Sequence, residues 1–466
     1  MLIGLMFFVL VAFTSYWTVL DAKGLEDNSA NRRPLIEAQK VPRGLILASD
    51  GRTVLARSRP EGRGDDRVFT RFYPTGPLFS HAVGYSFIQR GRSGLEQSYD
   101  DDLAGREDEF ESVLSGLENR KREGADVVTN LDPDGQKSAL SALAGRPGSI
   151  VAIEPQTGKV RVMASIPDYD ANQIPDHFAQ LNRDQGSPLL NRATQARYQP
   201  GSTFKVVTAA AALDSGKYTP NSVIDGSSPK TIGGVPLSND GGESFGPISF
   251  TDALTHSVNT VFGQVGESLG KDTMYKYMQR FGFNSKPPLD YPRQQMDSSG
   301  VFSGGRLLDQ SDPVDIGRVA IGQERLQVTP LQMAMVAAAV ANGGQLMTPH
   351  LVDRIVRKDG RVKRRIEPSL QSHVISKKAA DELTQMMGKV VEEGTGTAAA
   401  LSGIKVAGKT GTAEVANGTA NQAWFIAFAP IDHPRMAIAT TVERTSGQGG
   451  TVAAPMAKQV LETLLK

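Results

Sequence analysis

The residues NRATQARYQPGSTFKVVTAAAAL (191–213) pass from an irregular polar segment into an Ala-rich run, with Pro200-Gly201 at the junction. From Ser202 onward, STFKVVTAAAALDSG (202–216) is predicted to be a helix that stops near Gly216. Residues three apart share a helix face, so Lys205 can reach Ser202. A serine hydroxyl is a poor nucleophile until a base removes its proton. A lysine in a desolvated pocket can have its pKa lowered enough to act as that base. The pattern alone discriminates poorly, because Ser227/Lys230, Ser268/Lys271 and Ser402/Lys405 share it. Pro229 denies the first of these a regular helix, and Gly270 and Gly403 weaken the other two. Only Ser202/Lys205 opens a long helix.

On either side of this helix the texture is that of an α/β domain. SIVAIEP (149–155) and KVRVMAS (159–165) read as strands joined by the turn Gln156-Thr157-Gly158. LQMAMVAAAVANGG (331–344) reads as a second buried helix with a glycine stop. Three late strands follow in GIKVAGKTGTAEV, AWFIAFAPI and MAIATTVE. A closing helix is expected to begin near Ala453, with Pro455 in its first turn. Two opening strands, a helical middle, three late strands and a last helix predict an antiparallel sheet flanked by helices, with both ends of the segment 148–466 in one sheet.

Two further short motifs lie in this segment. Ser257-Val258-Asn259, in the helical-looking TDALTHSVNTVFGQ, offers a hydroxyl and a carboxamide; Ser29-Ala30-Asn31 matches the same pattern. Lys409-Thr410-Gly411-Thr412 lies in a predicted strand and contains the only Lys-Thr-Gly of the chain. A cation and two hydroxyls there suit an anionic chain end, and Gly411 is expected to let a substrate backbone approach closely. Each motif alone is compatible with an ordinary polar turn or strand. Their order, with spacings of 55 and 152 residues from Ser202 to Ser257 to Lys409, is more specific.

The rest of the chain sets limits. The 466 residues exceed one typical core and suggest two domains plus accessories. A formal charge of +1 gives no case for binding nucleic acid. The absence of cysteine removes thiol nucleophiles and disulfides, and the six histidines show no metal-ligand spacing, so no metal or cofactor is expected. Residues 1–20 carry no ionisable side chain and are long enough to span a bilayer, with Tyr16 and Trp17 placed for an interfacial belt. A cleaved signal peptide is the competing reading. Because no Ala-x-Ala-like site precedes Asp21 and no basic region leads the run, an uncleaved transmembrane anchor is expected. Residues 21–147 read as an elongated β-rich pedestal, with strands in GLILAS (44–49), TVLA (53–56) and ADVVTN (125–130), and a helix opened by Asp132-Pro133. Arg92 and the other basic residues of this pedestal are read as solvated surface, His256 as non-catalytic, and Trp424 as strand packing.

Together the motifs resemble those of a class B penicillin-binding protein, a monofunctional D,D-transpeptidase of peptidoglycan synthesis, in its short penicillin-binding protein A branch. The likeness covers the nucleophile segment 191–213, AGKTGTAE (407–414), AWFIAFAP (423–430), and the pedestal motifs RGLILASDG (43–51) and SGLEQSYD (93–100). It implies a serine β-lactamase/transpeptidase-like fold. It also implies that Ser202 attacks a D-Ala-D-Ala peptide bond of a stem peptide, with Lys205 as general base, Ser257 relaying the proton and Lys409 setting the field. Asn259 would bond the substrate backbone, and Thr410 and Thr412, beside Gly411, would hold the terminal carboxylate. The oxyanion hole would be the N–H groups of Ser202 and Thr412. β-Lactams would acylate Ser202. The resemblance also implies the plasma membrane, an extracytoplasmic catalytic domain and a membrane glycosyltransferase partner of the shape, elongation, division and sporulation type. The alternatives are a D,D-carboxypeptidase or β-lactamase-like hydrolase, and a non-catalytic β-lactam sensor or scaffold. Ser-x-Asn disfavours the β-lactamase class that carries Ser-x-Val at that place.

Overall fold

The structure is a computed structural model that describes residues 2–15, 39–63, 67–106, 123–415 and 420–466. Helix α1 (Leu2–Ser15) has 14 residues, a rise of about 21 Å, and no described helix is long and apolar enough to cross a membrane. Tyr16 and Trp17 lie outside the described residues.

The main strands in chain order are β1 (Ile46–Leu47), β2 (Val54–Glu61), β3 (Val68–Phe72), β4 (Asp126–Thr129), β5 (Gly148–Ile153), β6 (Val160–Ile166), β7 (Val352–Val356), β8 (Val362–Arg365), β9 (Ala407–Val415), β10 (Ala420–Ala429) and β11 (Met436–Thr445). They form two sheets. The first has the order β8-β7-β4-β1-β2-β3. Its hairpin β7–β8 comes from more than 200 residues downstream and pairs Val352 with Thr129. The second has the order β9-β10-β11-β5-β6 and is antiparallel throughout. It joins the opening and closing strands as the sequence predicts.

Helix α2 (Pro133–Leu143) starts at Asp132, whose side chain caps Gly135 N–H, and it packs on β6 and on the last helix. Two elements therefore cross the expected 147/148 boundary: α2 packs with the second sheet, and β7–β8 completes the first. Helices α3 (Lys205–Asp214), α4 (Phe250–Thr255), α5 (Asn259–Arg280), α6 (Pro330–Ala341) and α7 (Lys377–Glu392) follow, and α8 (Gly449–Leu464) closes the chain. Helix α6 is buried from Pro330 to Val340, which explains its apolar character, and its one polar side chain, Gln332, donates to Phe281 O at 2.7 Å. Helix α8 starts four residues earlier than expected, so Pro455 lies in its interior. The earlier start has a packing reason: Gln448 and Thr451 form a capping box, and only glycine fits at 449, where a Cβ would lie 2.2 Å from Trp424 O.

Arg52, Arg57, Arg59 and Arg90 are exposed as expected, whereas Arg43, Arg71 and Arg92 are not free surface. Arg71 and Glu96 are 1% and 0% exposed, and Arg43 binds Glu96 and Asp100 from the other side. Arg92 also bonds Asp100, at 2.9 Å. Burial alone raises the Glu96 pKa, but Arg71 and Arg43 outweigh it and hold the carboxyl below its usual range. Glu96→Ala leaves the buried Arg71 guanidinium without its anion and Arg43 with Asp100 alone, and a loss of about 3–5 kcal/mol is expected in denaturant unfolding. Because the folded pKa is lowered, this contribution is complete above the ordinary carboxyl pKa and is lost as pH falls through the folded value.

Candidate active site

Ser202 lies in a single 3-10 turn, Gly201–Phe204, that leads into α3. The preceding residues are tightly held. Tyr198 exchanges backbone bonds with Val328 at 2.9 and 2.8 Å, and Gly201 N–H bonds Gly322 O at 3.1 Å. Trp424 is fully buried, donates from Nε1 to Gln199 O at 3.0 Å and meets the Tyr198 ring edge-on, so it packs the strand as expected. Gly201 has φ +52°, and a Cβ there would lie 2.6 Å from Thr412 O. The nucleophile turn thus rests directly on β9.

Lys205, the first residue of α3, is fully buried. Its amine donates to Ser257 O at 2.7 Å and to Asn259 Oδ1 at 2.7 Å, and lies 3.2 Å from Ser257 Oγ. These partners all come from the Ser-x-Asn segment and none is Ser202 Oγ. Lys409, also fully buried, donates to Ser257 Oγ at 2.9 Å and to Thr410 O at 3.1 Å. One hydroxyl, that of Ser257, therefore bridges two buried amines. Desolvation, then repulsion by Lys409, lowers the Lys205 pKa well below its ordinary value. Desolvation brings Lys409 down to about 7.

Backbone geometry sets up this bridge. The segment that reads as one helix in the sequence is two, α4 and α5, with Ser257 between them at φ +59°. A left-handed serine costs on the order of 1 kcal/mol and here turns the chain so that its carbonyl and hydroxyl both meet lysines. His256 is exposed and stacks on Phe245.

Strand β9 lies at the edge of its sheet. Residues alternate faces along a strand, so Thr410 and Thr412 share one side. Thr410 Oγ1 lies 2.6 Å from Thr395 Oγ1, and Thr412 Oγ1 accepts from Gly449 N–H at 3.1 Å. Gly411 has a role that the sequence does not show: a Cβ there would lie 2.6 Å from Pro200 O and 3.0 Å from Thr203 N, so its bareness admits the nucleophile turn. Gly411→Ala should push Ser202 off its position and slow acylation by roughly 100-fold, the scale of an ångström misplacement, in stopped-flow measurements with a chromogenic β-lactam. Asn259 is held at both ends, its Nδ2 donating to Ser238 O at 3.1 Å. The structure adds Thr395, Asp240 and the Gly449 amide to the cleft. No local pattern marks them, since each arrives from a segment distant in sequence from the motifs it joins.

The geometry can be set beside known proteins. The description "Penicillin binding protein transpeptidase domain" matches residues 148–462, and "Penicillin binding protein A dimerisation domain" matches 43–127. A peptidoglycan D,D-transpeptidase PbpA of Mycolicibacterium smegmatis is 34% identical over 98% of this chain and 96% of its own length. The solved imipenem acyl-enzyme of penicillin-binding protein A from M. tuberculosis is 30% identical, with a TM-score of 0.83 over 92% of this chain and all of that one. A D,D-transpeptidase domain structure from Eggerthella lenta is 35% identical, with a TM-score of 0.80 over 91% of this chain and 98% of that one. With its Ser202 turn, its paired buried lysines and this likeness along nearly its whole length, the chain belongs to the penicillin-binding protein transpeptidase family.

Proposed function

We propose that this protein is a peptidoglycan D,D-transpeptidase that cross-links stem peptides through an acyl-enzyme on Ser202. The observation that carries the mechanism is the Ser257 hydroxyl held between the amines of Lys205 and Lys409. A neutral lysine amine has two N–H groups and one lone pair. At Lys205 the two N–H groups are taken by Ser257 O and Asn259 Oδ1. The lone pair is then left for a hydroxyl proton. Lys409 as a cation donates to Ser257 Oγ, which favours the neutral form of its neighbour.

The reaction follows from these groups. Ser202 Oγ attacks the carbonyl of the D-Ala-D-Ala bond and its proton passes to Lys205. The carbonyl oxygen becomes an oxyanion, held by the N–H groups of Ser202 and Thr412, each worth about 3 kcal/mol. The contact of Gly201 with the Thr412 backbone supports this pairing. The C–N bond then breaks, and a proton delivered through Ser257 leaves with D-alanine. Thr410 and Thr412 take the terminal carboxylate on the β9 edge, with Thr395 beside Thr410. An acceptor amine then attacks the ester, forming the cross-link and freeing Ser202. A β-lactam enters by the same first step and keeps its leaving group tethered. The test is intact-mass analysis of the wild type and Ser202→Ala after incubation with a penicillin, in which only the wild type should gain the mass of one penicillin.

The same reading includes a single-pass anchor at residues 1–20 in the plasma membrane, with the catalytic domain outside and a membrane glycosyltransferase as partner. The apolar side chains of α1 support it, because among the described residues Leu5 to Val11 and Phe13 are 47–70% exposed. Full-length protein should sediment with membranes and resist salt extraction, whereas a chain lacking residues 1–20 should stay in the supernatant. Equal solubility of the two would remove the anchor from the reading.

A further inference from the structure

Asp240 stands at the rim of the cleft, and the steps above make no use of it. Its loop is fixed by Asn239, which is 5% exposed. Asn239 Nδ2 donates to Gly226 O at 3.0 Å and Glu243 O at 2.8 Å, and its Oδ1 accepts from Thr260 N–H at 2.9 Å. The adjacent Ser238 O accepts from Asn259 Nδ2 at 3.1 Å. Residues 238–243 are therefore tied to the wall that carries Ser257 and Asn259. From the opposite wall, Gln448 Nε2 donates to Asp240 Oδ2 at 3.4 Å, and the next residue, Gly449, donates to Thr412. Bonds on both sides thus place an exposed carboxylate between the Ser-x-Asn wall and the Lys-Thr-Gly wall. Burial and Lys409 lower the Lys205 pKa, and the Asp240 charge opposes them, so its field reaches the reacting centre.

Transfer needs a second substrate, and that substrate is an amine. At neutral pH a free amine arrives mainly as an ammonium. The Lys409 cation of the site repels it. A carboxylate at the mouth offsets that repulsion, and its long 3.4 Å bond to a neutral amide is a weak one to displace.

We propose that Asp240 is the acceptor-binding residue: its carboxylate takes the incoming ammonium in place of the Gln448 amide and holds it over the Ser202 acyl-enzyme. This rests on the transpeptidase reading, in which the second substrate is an amine, and adds to it the residue that receives that amine as an ammonium. The ammonium loses one proton to solvent at the exposed carboxylate. Its nitrogen then forms the new C–N bond as the Ser202 Oγ–C bond breaks. The second amine proton returns through Ser257 and Lys205 to Ser202 Oγ. One proton is released overall.

The experiment uses the full chain, a thioester analogue of the donor, and two acceptors at pH 7. Glycinamide is mostly ammonium there and hydroxylamine is uncharged. Transfer and hydrolysis products are counted by mass spectrometry. Asp240→Asn should lower the transfer-to-hydrolysis ratio for glycinamide about tenfold, the scale of one lost charge-assisted bond, and move the hydroxylamine ratio by less than about twofold. Asp240→Glu should recover most of the glycinamide ratio, and Gln448→Ala should keep it. An equal fall for both acceptors in Asp240→Asn, or the same fall in Gln448→Ala, would show a structural bridge and overturn the proposal. Wild-type protein that forms no acyl-enzyme with the donor would overturn the transpeptidase reading itself, a different result from either.

Discussion

Incubated with a penicillin, the wild-type chain is expected to gain the mass of one intact penicillin, and Ser202→Ala to gain none. Ser202 lies in the turn Gly201–Phe204 that rests on β9, and it is half-buried. Neither lysine can replace it, because both amines are fully buried and already bonded to Ser257. Loss of a serine nucleophile in an acyl-transfer site removes on the order of 10⁶ in turnover. Folding should be nearly untouched, within about 0.5 kcal/mol, since a partly exposed hydroxyl is lost and no backbone bond depends on it. An adduct that persists in Ser202→Ala would move the nucleophile elsewhere. Penicillin that disappears without any wild-type adduct would turn the reading to hydrolysis.

Lys205→Met should slow acylation by about 10²–10⁴, the range for a lost general base, with the Ser202 turn in place. The same variant reports on the electrostatics of the unmodified site. Lys205 and Lys409 both have folded pKa values below those of the unfolded chain. Between the lowered value and about 10.5 the unfolded chain binds more protons, so wild-type stability rises with pH. For Lys409 that window opens at about 7. Below each window the folded state carries the full cost of a buried charge. Lys205→Met removes one such group, so its stability relative to wild type should be greatest at low pH and decline toward pH 10. The pH slope is the clean readout, because the variant also strips donors from Ser257 O and Asn259 Oδ1, which shifts stability equally at every pH. Guanidinium unfolding at pH 6 and pH 9 measures it. Parallel slopes for the two proteins would mean that Lys205 is not depressed.

The second sheet was legible because its signals are local. Apolar runs such as SIVAIEP and AWFIAFAP mark strands, and the Ala-rich runs mark helices that must pack closely. The motif residues were legible as residue types in an order. Their partners were less so. Lys205 shares a turn with Ser202 in sequence, yet its amine is spent on Ser257 and Asn259, more than 50 residues away. Gly411 reads as room for substrate, and the structure adds that it is room for Pro200 and Thr203. Arg43 and Arg71 read as solvated because nothing nearby in the chain shows that Glu96, 53 and 25 residues away, will neutralise them. Charge pairing, close backbone approach and left-handed φ are long-range requirements and leave little local trace.

The sequence by itself determined the chemistry available here: one helix-opening serine with a lysine a turn away, a second hydroxyl, a second lysine on a strand, and no thiol. It also determined the order of strands and helices, because apolar periodicity is set residue by residue. Only the tertiary structure decided which pairs react and which merely pack. It placed the Ser257 hydroxyl between two amines, laid Gly411 under the nucleophile turn, returned β7–β8 to the first sheet and set Asp240 across the cleft from Gln448. The physical reason is that desolvation and hydrogen bonding depend on neighbours in space. Burying both lysines lowers their pKa values only because the folded chain excludes water from them together.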